Sequence, residues 1–446
     1  MLSAADNEML TRTGPQTPMG QYMRHFWQPI ALSRELPEAD GAPLRVNIMG
    51  EELVAFRNAK GVVGLADSKC PHRGASLYFG RNEDCAIRCV FHGWKFDMEG
   101  KPVELPNVPD DSGYYKSIRL RTYPTREFGE VVWAWLGPDG YEPDKLPGVP
   151  QLEFGLLPPS HRYVTKKLQE CNWAQSIEGA LDTAHFSFLH MPAPHMPSNE
   201  NADAPADEKR LRWIREDPRP QFSVLEHDVG FVVGGARRAD GEDRYWRTTQ
   251  FALPAHSTTP STLPGENHFG YTWVPIDDHN CWIYTYAWNP DRPLTDDERA
   301  KFKAGHGVLA EVDDKFVPLS NRSNEYRIDR ALQKHSTFTG VRGVAEQDAM
   351  IHDSQGRIVD RTIEHLTASD AAIVRFRRLV LEGAKALMTG ARPEAAFHHE
   401  SYRLRSGSWI GHEGVPFEQV MLERFGNRVG RIGAVEAEQV RDGVTK

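Results

Sequence analysis

The sequence predicts an α+β chain in two parts, a small all-β domain followed by a larger domain in which an antiparallel sheet packs against helices. Three observations carry this. From about residue 44 to 138, short apolar runs alternate with Gly, Asn and Asp turns. Residues 137–151, GPDGYEPDKLPGVPQ, make a Gly- and Pro-rich break. Beyond the break, aromatic-rich strand runs are interspersed with longer helical patterns. The expected divisions are 1–43, an N-terminal segment packing on the body, 44–140 and 150–446.

Taken in order, LRVNIMGEELVAF alternates Leu44, Val46 and Ile48 before a Gly50 turn and resumes at Leu53. EFGEVVWAWLGP predicts a strand that stops at Gly137–Pro138. After the break, NWAQSIEGALDTAHFSFLH predicts a helix in which Glu178, Asp182 and His185, spaced i, i+4, i+7, share one face. Residues 191–220 are polar and proline-studded, which predicts a long loop. GFVVGGARR, RYWRTTQFALP, HFGYTWVPI and CWIYTYAWNP predict one antiparallel sheet. SDAAIVRFRRLVLEGAKALMTG closes the region as a helix, with Ser369 as N-cap and Gly390 as C-cap. Its apolar stripe is Ile373, Phe376, Val380, Ala384 and Leu387.

Composition narrows the function classes. The 446 residues carry a net charge of −9, which disfavours a nucleic-acid or anionic-membrane surface. There is no run of about 18 apolar residues, and the N-terminus lacks the basic and apolar pattern of a secretory signal. Five cysteines, an odd and small number, argue against a disulfide framework and for a reducing cytoplasm.

Two constellations carry chemistry. In CPHRGASLYFGRNEDCAIRCVFHGW, Cys70-x-His72 is followed by Cys89-x-x-His92. Two Cys and two His also make a zinc site, but zinc fingers usually pair Cys with Cys and His with His. One Cys and one His per loop suits a Rieske 2Fe–2S centre, with two thiolates on one iron and two imidazoles on the other. Gly74 and Gly93 allow tight turns, Trp94 is placed to shield the group, and Cys85 is a small residue between the loops. Downstream, Asp182-x-x-His185-x-x-x-x-His190 supplies two histidines for a second metal. Five residues separate the histidines, so the helix must end or widen between them. Glu346, Asp348, Asp353, Asp360 and Glu364 are all candidates for a carboxylate ligand, and spacing alone does not choose.

CPHRGAS and CVFHGWKFD resemble the Rieske domain of the aromatic-ring-hydroxylating oxygenases, and the QDAM…GRIVDRTIEHL run resembles their phthalate-dioxygenase branch. The resemblance implies a helix-grip-like catalytic domain with a mononuclear Fe(II) held by His185, His190 and the aspartate after Gln347, Asp348. It implies that Asp182 bonds His185 and also the partner subunit's His92, in a homotrimer or trimer pair. It implies dioxygen as cosubstrate and electrons from NAD(P)H through a separate flavin and iron–sulfur reductase. The expected substrate is an aromatic carboxylate. Arg247, which strand alternation groups with Tyr245, Thr249 and Phe251, is the first candidate for its anchor, and Arg219 a second. O- or N-demethylation is the alternative chemistry, and a non-catalytic electron carrier the alternative of another class.

Overall fold

The computed structural model describes residues 1–109, 112–137, 145–193, 206–260, 265–412 and 414–430. The chain opens with α1 (Ala4–Thr11), α2 (Pro18–Arg24) and β1 (Trp27–Leu32). Short strands follow: β2 (Leu44–Ile48), β3 (Glu51–Arg57), β4 (Val63–Asp67), β5 (Arg81–Glu83), β6 (Ala86–Arg88), β7 (Lys95–Phe96) and β8 (Pro102–Glu104). After a single helical turn, α3 (Tyr114–Ser117), come β9 (Thr122–Tyr123), β10 (Thr125–Phe128) and β11 (Val131–Trp135). They pair as three small sheets, β1-β11-β10, β2-β3-β4-β9 and β5-β6-β7-β8.

The second part contains β12 (Arg162–Gln169), α4 (Trp173–Leu181), α5 (Ala206–Glu216), β13 (Gln221–His227), β14 (Gly230–Arg238), β15 (Asp243–Ala252) and β16 (His256–Thr259). It continues through β17 (His268–Pro275), β18 (Cys281–Trp288), α6 (Asp296–Lys303), α7 (Arg330–His335), α8 (Val344–Ser354), α9 (Ala371–Met388), β19 (Ser408–His412) and α10 (Phe417–Phe425). Its antiparallel sheet runs β12-β18-β17-β16-β15-β14-β13, with β19 added against the first half of β15. The α+β expectation holds, and so do the four aromatic-rich strands.

Both faces of this sheet are covered, so most residues of β12, β14, β15, β17 and β18 are buried, polar ones included. On one face Trp273 Nε1 donates to Ser176 Oγ of α4 at 2.9 Å. On the other, Lys166 pairs with Glu35, just beyond β1, at 2.7 Å. One large core joins Trp133 and Trp135 of β11 to Trp173 and Ile177 of α4 and to Trp273, Tyr284 and Tyr286 of the sheet. A second, smaller core of Val54, Phe56, Ile87, Trp94 and Phe96 lies beneath Cys70 and Cys89. Among the described residues no helix is long and apolar enough to cross a membrane.

Three local expectations are corrected. The helix beginning at Asn172 stops at Leu181, because the Asp182 carboxylate accepts from Ala184 N at 2.7 Å and turns the chain out. Glu178 therefore does not share a face with Asp182 and His185. It is turned into the core, accepting from Arg361 Nε at 2.9 Å and Arg377 Nε at 2.8 Å. In the stretch expected as a loop, residues 194–205 lie outside the described residues, but 206–216 form α5, packed on β14. In α9 the stripe of Phe376, Val380 and Ala384 is buried, as expected. Its N-cap is Asp370, however; Ser369 belongs to a preceding turn capped by Thr367.

Candidate two-centre metal site

The two cysteine–histidine loops are built alike. Cys70 N donates to Ala75 O and Cys89 N to Trp94 O, both at 2.8 Å, while Gly74 N and Gly93 N return to the Cys70 and Cys89 carbonyls. Each turn needs a left-handed residue, met by Gly74 at φ +73° and Gly93 at φ +75°. The cysteines lie at the buried end, 3% and 2% exposed. The imidazoles of His72 and His92 lie toward the tip, ring centres 4.6 Å apart. Trp94 stacks on His72 at 4.4 Å and anchors itself by Nε1 to Asn107 Oδ1 at 2.6 Å.

This donor set fits a two-iron cluster. Burial pushes the Cys70 thiol up to about 11, with neighbouring Cys89 adding to it, so holding Cys70 as a thiolate calls for a metal. His92 Nδ1 is buried with no hydrogen-bond partner. A single tetrahedral zinc draws its ligand atoms within about 4 Å of each other. Among the described residues, no three of Cys70, His72, Cys89 and His92 offer ligand atoms within 4.8 Å of one another. The spread suits two metals, sulfur on one and nitrogen on the other. Cys85 stands apart at φ +57°, and all five cysteines are free.

The second centre is compact. His185, His190 and Asp348 offer ligand atoms that all lie within 4.8 Å of one another. His185 Nε2 and His190 Nε2 are 3.0 Å apart, and Asp348 Oδ1 is 3.2 Å from His190 Nε2 and 3.8 Å from His185 Nε2. Two imidazole nitrogens and a carboxylate oxygen converging on one point are a donor set that fits a divalent metal cation. Asp348 belongs to α8, and His185 sits in the turn after α4. Of the five carboxylates left open by spacing, Asp348 is the one in the cluster. Burial would raise its carboxyl, but His190 and His185 hold it down at about 2.

Supporting residues flank both rings. Asp182 Oδ2 lies 3.6 Å from His185 Nδ1. Burial would raise the Asp182 carboxyl, but His185 and the Ala184 amide hold it below its ordinary value. Gln347 Oε1 accepts from His190 Nδ1 at 2.7 Å and Gln347 Nε2 donates to Val341 O at 2.8 Å. Gln347 was unread in the sequence except as a marker before Asp348; its place beside the chosen aspartate was the available signal. Beside the ligands is a cavity whose walls include His185, Asp348, Phe186, Tyr271, Trp273 and Lys167.

The arginines separate. Arg247 is 5% exposed, its guanidinium 4.1 Å over the Phe186 ring, with Nε buried and unpartnered. Phe186 in turn contacts His190, ring centres 4.7 Å apart. Arg219 is exposed and is not brought to this centre. Arg237, unread in the sequence, is fully buried on β14 and donates to Thr183 O at 2.6 Å. Within one chain, no hydrogen bond joins His92 to Asp182.

Residues 26–124 match the family model for the Rieske [2Fe-2S] domain, and residues 134–422 match that for the LigXa C-terminal domain like family. The chain is 35% identical to the 3-chlorobenzoate-3,4-dioxygenase oxygenase subunit of Comamonas testosteroni, over 95% of this chain and 99% of that one. It is 37% identical to the phthalate 4,5-dioxygenase oxygenase subunit of Pseudomonas putida, over 87% and 88%. It is 30% identical to the 5,5'-dehydrodivanillate O-demethylase oxygenase subunit of a Sphingobium strain, over 89% and 83%. The crystal structure of dicamba monooxygenase bound to dicamba shares the fold, with TM-score 0.57 at 16% identity, covering 82% of this chain and 99% of that one. The chain belongs to the Rieske non-haem iron oxygenases, as an oxygenase subunit with a Rieske 2Fe–2S domain and a mononuclear-iron catalytic domain.

Proposed function

We propose that this subunit hydroxylates an aromatic carboxylate with dioxygen, taking electrons that a separate flavin and iron–sulfur reductase draws from NAD(P)H. The observation that carries the reading is the His185, His190 and Asp348 cluster opening onto a cavity walled by Phe186, Tyr271 and Trp273. The substrates printed in the names of the 35% and 37% identical relatives, 3-chlorobenzoate and phthalate, support the carboxylate.

In this reading residues 44–140 are the electron-receiving domain and 150–446 the catalytic domain, with 1–43 packed on the body. Cys70 and Cys89 would hold one iron of the cluster and His72 and His92 the other; His185, His190 and Asp348 would hold the mononuclear iron. When bound, the two centres supply electrons and the redox chemistry that dioxygen needs. The chain supplies the rest. Asp182 faces the Nδ1 side of His185 and Gln347 accepts the Nδ1 proton of His190, which leaves each Nε2 as the ligating atom. Phe186, Tyr271 and Trp273 exclude water and give an aromatic ring flat walls. Arg247, a buried cation behind Phe186, draws the carboxylate toward the iron site by charge without lining the cavity itself; exposed Arg219 takes no part.

Asp182 also connects subunits in this reading. Its side chain is 26% exposed and meets no cluster residue of its own chain. Phe79, Val90 and Phe91 stand exposed around the cluster loops, an apolar rim that suits a contact. We place the partner subunit's His92 against Asp182, in a homotrimer or trimer pair, and the protein in the reducing cytoplasm. Single turnover of reduced protein with phthalate or 3-chlorobenzoate under labelled dioxygen tests the reading. A hydroxylated product carrying the label is expected. Peroxide release without product from every acid overturns it, and formaldehyde release from a methoxylated acid establishes demethylation instead.

A further inference from the structure

The strand β12 reads RYVTKKLQ, and its two adjacent lysines meet different fates. Lys166 points to the sheet face covered by β1 and pairs with Glu35 at 2.7 Å. Lys167 points the other way. Pairing sets Lys167 opposite Ile283, and Ile283 opposite Trp273, so the three form one row across β12, β18 and β17. Trp273 fixes which face that is, since its indole bonds Ser176 of α4. Lys167, Ile283 and Trp273 all line the cavity that holds His185 and Asp348.

Lys167 is 7% exposed, and its ammonium makes a single hydrogen bond, to Ala345 O at 3.1 Å. An ammonium has three donors, so two are unspent. Among the described residues no carboxylate comes within ion-pair distance of it. Glu346, in the first turn of α8, stays beyond that distance and keeps Oε2 buried without a partner. Two other polar groups beside it are committed: Gln169 Nε2 donates to Asp353 at 2.6 Å, and Ser176 accepts from Trp273. A buried, unpaired ammonium is costly to a fold, and here it borders a cavity. Arg247, by contrast, approaches from β15, four places along the sheet from β12, and is stacked on Phe186 instead of lining the cavity.

We propose that Lys167 is a specificity-determining residue that receives an anionic oxygen of the aromatic substrate inside the iron cavity. The inference rests on the aromatic-carboxylate reading and deepens it, because it names a cation in the cavity wall itself. Charge on the substrate, more than its size, is then what Lys167 selects.

The test compares phthalate and 3-chlorobenzoate with their methyl esters, using loaded wild type, K167Q, K167M and K167R. K167Q keeps a donor for Ala345 O while removing the charge. In K167Q and K167M, kcat/KM for the acids should fall roughly ten- to hundredfold, chiefly through KM. The esters should fall less, so the acid-to-ester ratio collapses; K167R should keep the ratio near that of wild type. Iron content and the cluster spectrum verify each variant. Equal losses for acid and ester mean that Lys167 only braces α8 and overturn the proposal, as does an unchanged KM for the acids. If neither neutral variant holds iron, loss of acid preference in K167R overturns it and retention supports it. Wild type that oxidises no acid defeats the carboxylate reading and this inference with it. Wild type that oxidises the acids, with an unchanged ratio in K167Q, defeats the role of Lys167 alone.

Discussion

Glu178 tests whether α4 is held by charge or by metal. Its carboxylate accepts from Arg361 Nε at 2.9 Å, Arg361 Nη2 at 3.1 Å and Arg377 Nε at 2.8 Å. Arg361 is fully buried and carries the network on to Asn7 of α1, while Arg377 also bonds Glu364. Glu178→Gln removes the charge but not the volume, and the new amide N–H faces arginine donors. Breaking one partner of a buried ion network costs about 3–5 kcal/mol; with one Gln oxygen still accepting, about 3 kcal/mol is expected. At about 2.1 cal/mol/K per residue over roughly 300 residues of the second domain, that lowers Tm by about 5 °C. Thermal melts and iron analysis are the assay, and the cluster absorbance should stay intact while the melt shifts. A melt within 1 °C of wild type, with loss of one iron, would refute the reasoning and place Glu178 on the metal side. The arginines also hold the Glu178 carboxyl below its ordinary value against the opposing effect of burial. A lowered folded value means this stabilisation is complete above the unfolded carboxylate range, about pH 4.3, and is lost only as pH falls below it.

Other outcomes follow from the same geometry. Asp182→Asn should retain both metals yet lose nearly all turnover, measured as product per electron; full activity would remove its bridging role. Asp348→Ala should lower iron by about one per chain without changing acid-labile sulfide, since the cluster ligands lie in another domain. Gln347→Leu leaves His190 Nδ1 without its acceptor and should weaken iron binding about 10–100-fold in chelator competition. An unchanged affinity would mean that Gln347 does not orient the ligand.

Legibility in the sequence followed from how local each feature is. The cluster loops could be read because ligand type and spacing lie within 23 residues, and the matching turns demand Gly74 and Gly93. His185 and His190 were legible for the same reason. Asp348 was not, because nothing local separates it from Glu346 or Asp353; it joined the list of ligands only through family resemblance. The end of α4 was misplaced because apolar periodicity runs on past Leu181, while the stop comes from a side-chain bond of Asp182. β12 escaped notice because three cationic residues in RYVTKKLQ break any strand pattern, and the burial of Lys166 and Lys167 depends on partners more than 100 residues away in the chain, Glu35 and Ala345. α5 was hidden by the proline-rich run before it. The unpaired state of Lys167 is a property of the assembled cavity and has no sequence signature.

The central claim is that one chain holds a cluster and a separate iron. Iron and acid-labile sulfide, measured per chain on purified wild-type protein, test it most directly. About three irons and two sulfides are expected, two of the irons in a Rieske cluster and the third at His185, His190 and Asp348. Two irons with two sulfides would contradict it and leave an electron carrier, and a colourless protein containing zinc would contradict both centres.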